Sequence, residues 1–257
     1  MRQVALVREV SPEIIRCELT HMARAPIDLE RARAQHAEYV AALAELGCVI
    51  EWLPPEPELP DAVFVEDTAI VLEDFAVITR PGAESRRAEL PSVVAALGRY
   101  RPLHHITAPG TLDGGDVLRM GRALYVGETL RTNAEGISQL AEIVTRRGYA
   151  VCAVPVHGCL HLKSAVTALD ERTALINREW TEVARFAGRR LVDIDPAEPF
   201  AANTLAVGDA LIHAAEFPRT GAILAGAGFT VRPVPASELA KAEGGVTCCS
   251  LIVTVDG

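Results

Sequence analysis

Gly114-Gly115-Asp116-Val117-Leu118 is a polar, glycine-rich turn that runs straight into apolar residues, and related segments recur along the 257-residue chain. They are Val65-Glu66-Asp67-Thr68-Ala69-Ile70-Val71, Leu162-Lys163-Ser164-Ala165-Val166, Ala202-Asn203-Thr204-Leu205-Ala206-Val207 and Cys248-Cys249-Ser250-Leu251-Ile252-Val253. Short alternating apolar runs behind a turn read as strands. The first four in chain order lead to a second strand-like run, at Phe75–Thr79, Ala123–Val126, Thr173–Ile176 and Ala210–His213. Gly, Asp or Glu stands between the paired runs, as a short β-loop requires.

Helical spacing follows each pair. Arg86–Gly98 carries Leu90, Val93, Val94 and Leu97, and Ala134–Arg147 carries Ile137, Leu140, Ile143 and Val144. Arg178–Ala187 and Pro218–Gly226 are the other two candidates. A third strand then ends in or near proline, at His104–Pro109, Tyr149–Pro155, Arg190–Pro196 and Phe229–Pro235. The unit is strand–strand–helix–strand and recurs every roughly 40 to 50 residues, a period typical of repeat architectures. The segment at Cys248 lacks its second half, and the N-terminus supplies it: a strand at Gln3–Arg8, a helix at Leu29–Leu46 and a strand at Gly47–Pro54. The pattern predicts a single domain over 1–257, a five-bladed α/β propeller of ββαβ units whose fifth blade is closed by both termini. Such closure leaves no open sheet edge.

Composition narrows the partners. With 34 acidic against 25 basic side chains and a net charge of −9, the chain lacks the basic surplus of a nucleic-acid binder. No apolar run reaches the roughly 18 residues of a membrane span, and Met1–Cys17 has no secretory pattern, so a cytoplasmic protein is expected. The six cysteines form no CxxC pair and no zinc-ligand spacing, and in that compartment they are reduced. No metal or organic cofactor is expected.

If rotation about an axis relates the units, their equivalent turns meet there. That would gather Asp61, Glu66 and Asp67, Asp113 and Asp116, His161, Lys163 and Ser164, Asn203, and Cys248 with Cys249. Taken singly, a strand cysteine or a lone histidine is most often a core residue, and Asp-Gly-Gly-Asp is most often a turn. The shared phase in the repeat sets them apart. A thiol, an imidazole and carboxylates in one channel can serve as nucleophile, proton carrier and orienting group.

These residues resemble the dimethylarginine dimethylaminohydrolases, guanidino-group-modifying enzymes with the five-bladed pentein fold. The resemblance covers nearly the whole chain and rests on motifs in matching order. They are Leu59-Pro60-Asp61 with Phe64-Val65-Glu66-Asp67, Thr79-Arg80-Pro81-Gly82-Ala83 with Ser85-Arg86-Arg87, and Leu112-Asp113-Gly114-Gly115-Asp116-Val117-Leu118. Arg131-Thr132-Asn133, His161-Leu162-Lys163-Ser164 and Thr247-Cys248-Cys249-Ser250 complete the set. The resemblance implies that Cys248 is the nucleophile, His161 the general acid/base and Asp113 its acidic partner. It further implies that Asp67 holds the substrate guanidinium, Asp61 its amino group, and Arg86 and Arg131 its α-carboxylate. Leu19 falls where the family has a loop that closes over the site. The implied reaction is hydrolysis of dimethyl- or monomethylarginine to citrulline plus dimethylamine or methylamine, with a small guanidino amino acid as the partner.

Two alternatives accompany this expectation. An arginine or agmatine deiminase would release ammonia; those enzymes are longer, and agmatine gives two carboxylate-gripping arginines nothing to hold. A non-catalytic pentein binding module would have no reason to keep Cys, His and Asp in phase.

Overall fold

The computed structural model of the chain describes residues 2–255. Met1, Asp256 and Gly257, part of the domain expected over 1–257, lie outside the described residues. The described strands form five sheets of three strands each. Strand β1 (Arg2–Val7) continues through helix α1 (Leu29–Glu45) to β2 (Val49–Trp52), which runs parallel to β1. Next come β3 (Ala69–Val71), β4 (Ala76–Ile78), α2 (Leu90–Leu97) and β5 (Leu103–His105), then β6 (Val117–Met120), β7 (Ala123–Glu128), α3 (Ala134–Thr145) and β8 (Ala150–Pro155).

The one-turn helix α4 (Leu162–Ala165) opens the following unit, with β9 (Val166–Ala168), β10 (Thr173–Ile176) and β11 (Arg190–Asp193). The remaining elements are β12 (Thr204–Val207), β13 (Ala210–Ala214), α5 (Pro218–Gly226), β14 (Thr230–Val234), α6 (Ser237–Ala240) and β15 (Leu251–Val255). In each sheet the middle strand pairs antiparallel with one neighbour and parallel with the other. The sheet β15-β1-β2 joins the two ends of the chain, with Arg2 opposite Val255.

Local chemistry explains these elements. Asp28 and Asn133 cap α1 and α3 by accepting the Arg31 and Gly136 N–H groups. Leu140 and Val144 of α3 are fully buried in a core shared with Phe75 and Val77 of the preceding unit. Another core joins Leu118 and Tyr125 to Val166 and Ile176 of the following unit. Burying such side chains contributes about 1.5 to 3 kcal/mol each, so neighbouring sheets stabilise one another.

The polar turns do precede the strands as expected, and they are tightly coiled: Val65–Thr68 and Gly114–Asp116 are 3-10 turns, Leu162–Ala165 is helical, and pairing starts after them. Several predicted elements are displaced. The helix expected over Arg178–Ala187 is a single 3-10 turn, Val183–Phe186. An isolated bridge between Thr181 and Val156 holds the start of that stretch against the preceding strand segment. The helix expected from Arg86 divides into a 3-10 stretch, Glu84–Glu89, and α2, with Pro91 in the first turn of α2. The third strand of that unit ends at His105, short of Pro109.

The first strands of all five sheets line one cavity of about 240 Å³, through Ile70, Leu118, Thr167, Leu205 and Ile252. Among the described residues no helix is long and apolar enough to cross a membrane.

Candidate active site

The turns ahead of the strands are the positioning elements. Asp67 lies in the turn Val65–Thr68, Asp113 immediately precedes the turn Gly114–Asp116, and His161 immediately precedes α4. Cys248 lies three residues before β15, and its carbonyl accepts the Glu66 N–H at 3.0 Å. Equivalent phases of four units therefore meet at one place, as the repeat predicts.

His161 is fixed between carboxylates. Its Nε2 lies 3.0 Å from Asp113 Oδ2, and its Nδ1 lies 3.8 Å from Asp67 Oδ1. Asp113 is held in turn by the Gly82 N–H at 2.8 Å, and Asp67 by the Gly115 N–H at 2.9 Å. A Cβ on Gly115 would stand 2.6 Å from His161 Nδ1 and 2.7 Å from Asp67 Oδ1. Only glycine lets the turn approach both groups. Behind the ring, Asp116 accepts the hydroxyls of Thr129 and Thr132 and the Leu162 N–H, which fixes the start of α4.

The Cys248 Sγ accepts the Gly245 N–H at 3.2 Å. Burial pushes its pKa up to about 12, with Glu66 and Asp67 adding in the same direction. The thiol is therefore protonated at neutral pH. Burial alone would remove the proton from His161, but Asp67, Asp116 and Asp113 together raise its pKa to about 9. Burial raises Asp116 to about 6 against the opposing pull of His161 and the threonine hydroxyls. Asp67 moves the other way: burial opposes its charge, but His161, Arg86 and the Gly115 N–H hold it well below the usual carboxylate range. Ligand-type atoms of Asp67, Asp113 and His161 lie within 4.8 Å of one another, as in a metal site. The same three groups form an acid–base cluster, the imidazole lying between two carboxylates.

The expected substrate contacts are drawn into the same place. A narrow cavity of about 20 Å³ is lined by Asp61, Asp67, Arg86, Arg131, His161 and Cys248, with Glu18 at its edge. Asp61 accepts the Glu18 N–H at 3.1 Å, and Arg131 donates to Thr20 Oγ1 at 3.1 Å. Arg86 has its donors committed within the protein, to Asp67, to Glu89 at 2.9 and 3.0 Å, and to the Phe64 carbonyl at 2.8 Å. Leu19 packs against the apolar core around α1, beside Glu18, and does not itself line the cavity. Asp113 stands behind His161, outside the lining.

Some contributors escape the sequence reading. Thr129 carries no motif, Thr132 stands in the Arg131-Thr132-Asn133 motif with no role assigned to it, and Glu89 reads as an ordinary helix acid. Gly245 is one of a Gly-Gly pair whose hydrogen bond to sulfur no pattern signals. A second cavity of about 210 Å³ with mostly apolar walls abuts the first and shares Leu160, Glu243 and Gly244 with it.

The chain is 43% identical over 248 residues to an N(G),N(G)-dimethylarginine dimethylaminohydrolase of Streptomyces coelicolor, covering 96% of this chain and 95% of that protein. It is 38% identical over 226 residues to the enzyme of that name from Pseudomonas aeruginosa, covering 87% and 89%. A solved structure of the Pseudomonas aeruginosa enzyme, a cysteine-to-serine variant complexed with citrulline, superposes with a TM-score of 0.91 at 34% identity. That superposition covers 98% of this chain and all of the other. No family model matches the chain.

Proposed function

The chain belongs to the dimethylarginine dimethylaminohydrolase family, and we propose that it hydrolyses Nω-methylated arginines to citrulline and an alkylamine by way of Cys248. The observation that carries this reading is the shared cavity, where a neutral thiol, a protonated imidazole and buried carboxylates face one another. Each has a use for a guanidinium substrate.

Asp67 presents the charge that a delocalised cation seeks, and a carboxylate pairs with a guanidinium through parallel hydrogen bonds. Taking the substrate means that Asp67 exchanges its internal partner Arg86, which stays bound to Glu89. Asp61 suits the substrate ammonium and Arg131 its carboxylate, with Arg86 beside them. The cation beside Cys248 opposes the burial and negative charge that hold its proton, so substrate binding itself favours the thiolate. The proton leaves to solvent.

The thiolate attacks the guanidinium carbon. His161 gives its proton to the alkylamino nitrogen, the C–N bond breaks, and dimethylamine or methylamine departs. A thiouronium remains on Cys248. Neutral His161 then takes a proton from water as the water oxygen bonds to the same carbon, and the C–S bond breaks as the remaining hydroxyl proton passes to the departing sulfur, which releases citrulline and restores the neutral thiol. Asp113 holds the ring and stabilises the charge that it regains. The raised pKa of His161 suits its role as acid in the first half, and proton transfer to the amine leaves it ready as base for the second.

On this reading the whole chain is one catalytic domain and the sheets form a closed five-bladed propeller. The cavity shared by all five first strands and the sheet that joins the chain's ends support it. Deleting Leu251–Val255 should then abolish cooperative unfolding of the entire chain, and survival of a folded remainder would refute ring closure. A cytoplasmic setting fits the six unpaired cysteines.

Incubation with asymmetric dimethylarginine tests the activity. Equimolar citrulline and dimethylamine are expected, with neither from Cys248→Ser. Ammonia from plain arginine, without dimethylamine from the methylated substrate, would overturn the assignment in favour of a deiminase.

A further inference from the structure

Glu243 takes no part in the chemistry above, yet it lines both cavities. Its backbone φ is +59°, in the left-handed region that side chains other than Gly, Asn and Asp rarely adopt. Its carboxylate accepts three consecutive backbone N–H groups: Thr20 at 2.8 Å, His21 at 2.6 Å and Met22 at 2.7 Å. Those amides make no backbone–backbone hydrogen bond. The residues that bear them are exposed and belong to no helix or strand.

The turn that carries Glu243 is itself immobilised. A Cβ on Gly244 would meet Phe64 at 2.2 Å, and one on Gly245 would meet Asn203 at 2.4 Å, so both glycines are packed flush against their neighbours. Gly245 also donates to the Cys248 sulfur, which makes the Glu243 anchor and the thiol parts of one turn. The segment held by that anchor covers the pocket. Glu18 donates its N–H to Asp61 and accepts the Ser85 hydroxyl at 2.6 Å, while Thr20 accepts from Arg131. The space of about 20 Å³ is near that of a single water molecule, far below what an arginine-sized molecule needs. Seating such a molecule requires the lining to move, and Glu18, on this segment, is its exposed part. Segments with few buried contacts are the parts of a fold that open locally.

We infer that Glu243 is a positioning residue that clamps the Glu18–Met22 segment over the pocket and so sets the rate at which the pocket opens and closes. The inference rests on the reading of this pocket as the catalytic one. A contact equally strong in free and occupied protein shifts no affinity. Weakening the clamp should therefore speed entry and exit alike, with Kd almost unchanged. A contact to ligand, or a merely structural role, would instead move Kd or Tm.

The test uses Glu243→Gln, which removes the charge, and Glu243→Asp, which keeps it but withdraws the carboxylate by one methylene. In the free protein, hydrogen exchange at the Thr20, His21 and Met22 amides should quicken about tenfold in both. Alkylation of Cys248 by iodoacetamide, followed by peptide mass spectrometry, should quicken to a similar degree. The aspartate variant separates access to the thiol from the loss of a nearby charge. Citrulline association and dissociation rates should each rise about tenfold, with Kd within twofold and Tm within a few degrees. Unchanged exchange and labelling in both variants would overturn the clamp, as would a tenfold weaker Kd with unchanged association. Faster exchange and labelling in a protein that binds no citrulline would support the clamp and count against the catalytic reading instead.

Discussion

His36 and His161 are equally buried, at 3% and 4% exposure, yet their protonation is pushed in opposite directions. His36 lies among aromatic rings, with centroids 6.2 Å from Tyr39 and 6.0 Å from Trp52, and its Nε2 has no partner. Burial lowers its pKa to about 4. His161 has carboxylates on both ring nitrogens and rises to about 9. Exclusion of water alone expels the proton; only the acids of neighbouring units restore it. A cluster of buried charge is costly to keep for stability alone. Here it supplies an acid that stays protonated in the pH range where a free histidine loses its proton, beside a carboxylate that stays charged.

The largest expected effect comes from removing one member of the comparison. His161→Asn should lower kcat about 10²- to 10⁴-fold, the usual worth of a general acid. His36→Phe should leave kcat unchanged. Steady-state assay of both variants checks the contrast, and equal losses would break it.

Gly115→Ala sharpens the geometric half of the contrast. The added methyl must displace the His161 ring or the Asp67 carboxylate, and a shift near 1 Å costs on the order of 100-fold in rate. An unimpaired variant would show that the approach of this turn is not what orients the ring.

The pH profile follows from the raised value. Loss of the His161 proton should reduce kcat/KM, which reports the free protein, about tenfold per pH unit above its pKa, so kcat/KM should fall beyond pH of about 9. A descending limb near 6.5 would mean that the carboxylates do not hold the proton. In linkage terms, His161 stabilises the fold fully below about 6.5, and that contribution fades as pH rises toward 9. His36 acts at the other end. The unfolded chain binds a proton below about 6.5 that folded His36 refuses until about 4, so stability falls with pH through that window. About 3 kcal/mol is at stake, because each pH unit across the window is worth about 1.36 kcal/mol. Denaturant melts of wild type and His36→Phe at pH 7 and pH 4.5 should show the variant losing less. Parallel losses would mean that His36 does not set this acid sensitivity.

The contrast also marks what the sequence could reveal. The five turn-and-strand segments are legible because alternation and glycine placement are local, and they bring His161, Asp113, Asp67 and Cys248 into register. The short 3-10 turns are not legible, because Val65–Thr68 and Gly114–Asp116 are shaped by contacts between units. The same is true of Val183–Phe186, whose apolar spacing suits a longer helix than the Thr181 bridge leaves room for. Arg86 stands at the expected place and Glu89 is its local i,i+3 partner, but its pairing with Asp67 is a tertiary arrangement with no sequence signature. Nor does sequence distinguish His36 from His161 by protonation. That difference lies in which side chains other units bring within a few ångströms of each ring.

Rapid acid quench of the protein while it turns over asymmetric dimethylarginine, followed by peptide mass spectrometry, tests the central claim most directly. An adduct on Cys248 with the mass of the substrate less dimethylamine is expected, absent in Cys248→Ser. Citrulline formed with no adduct, or with the adduct on Cys249, would contradict it.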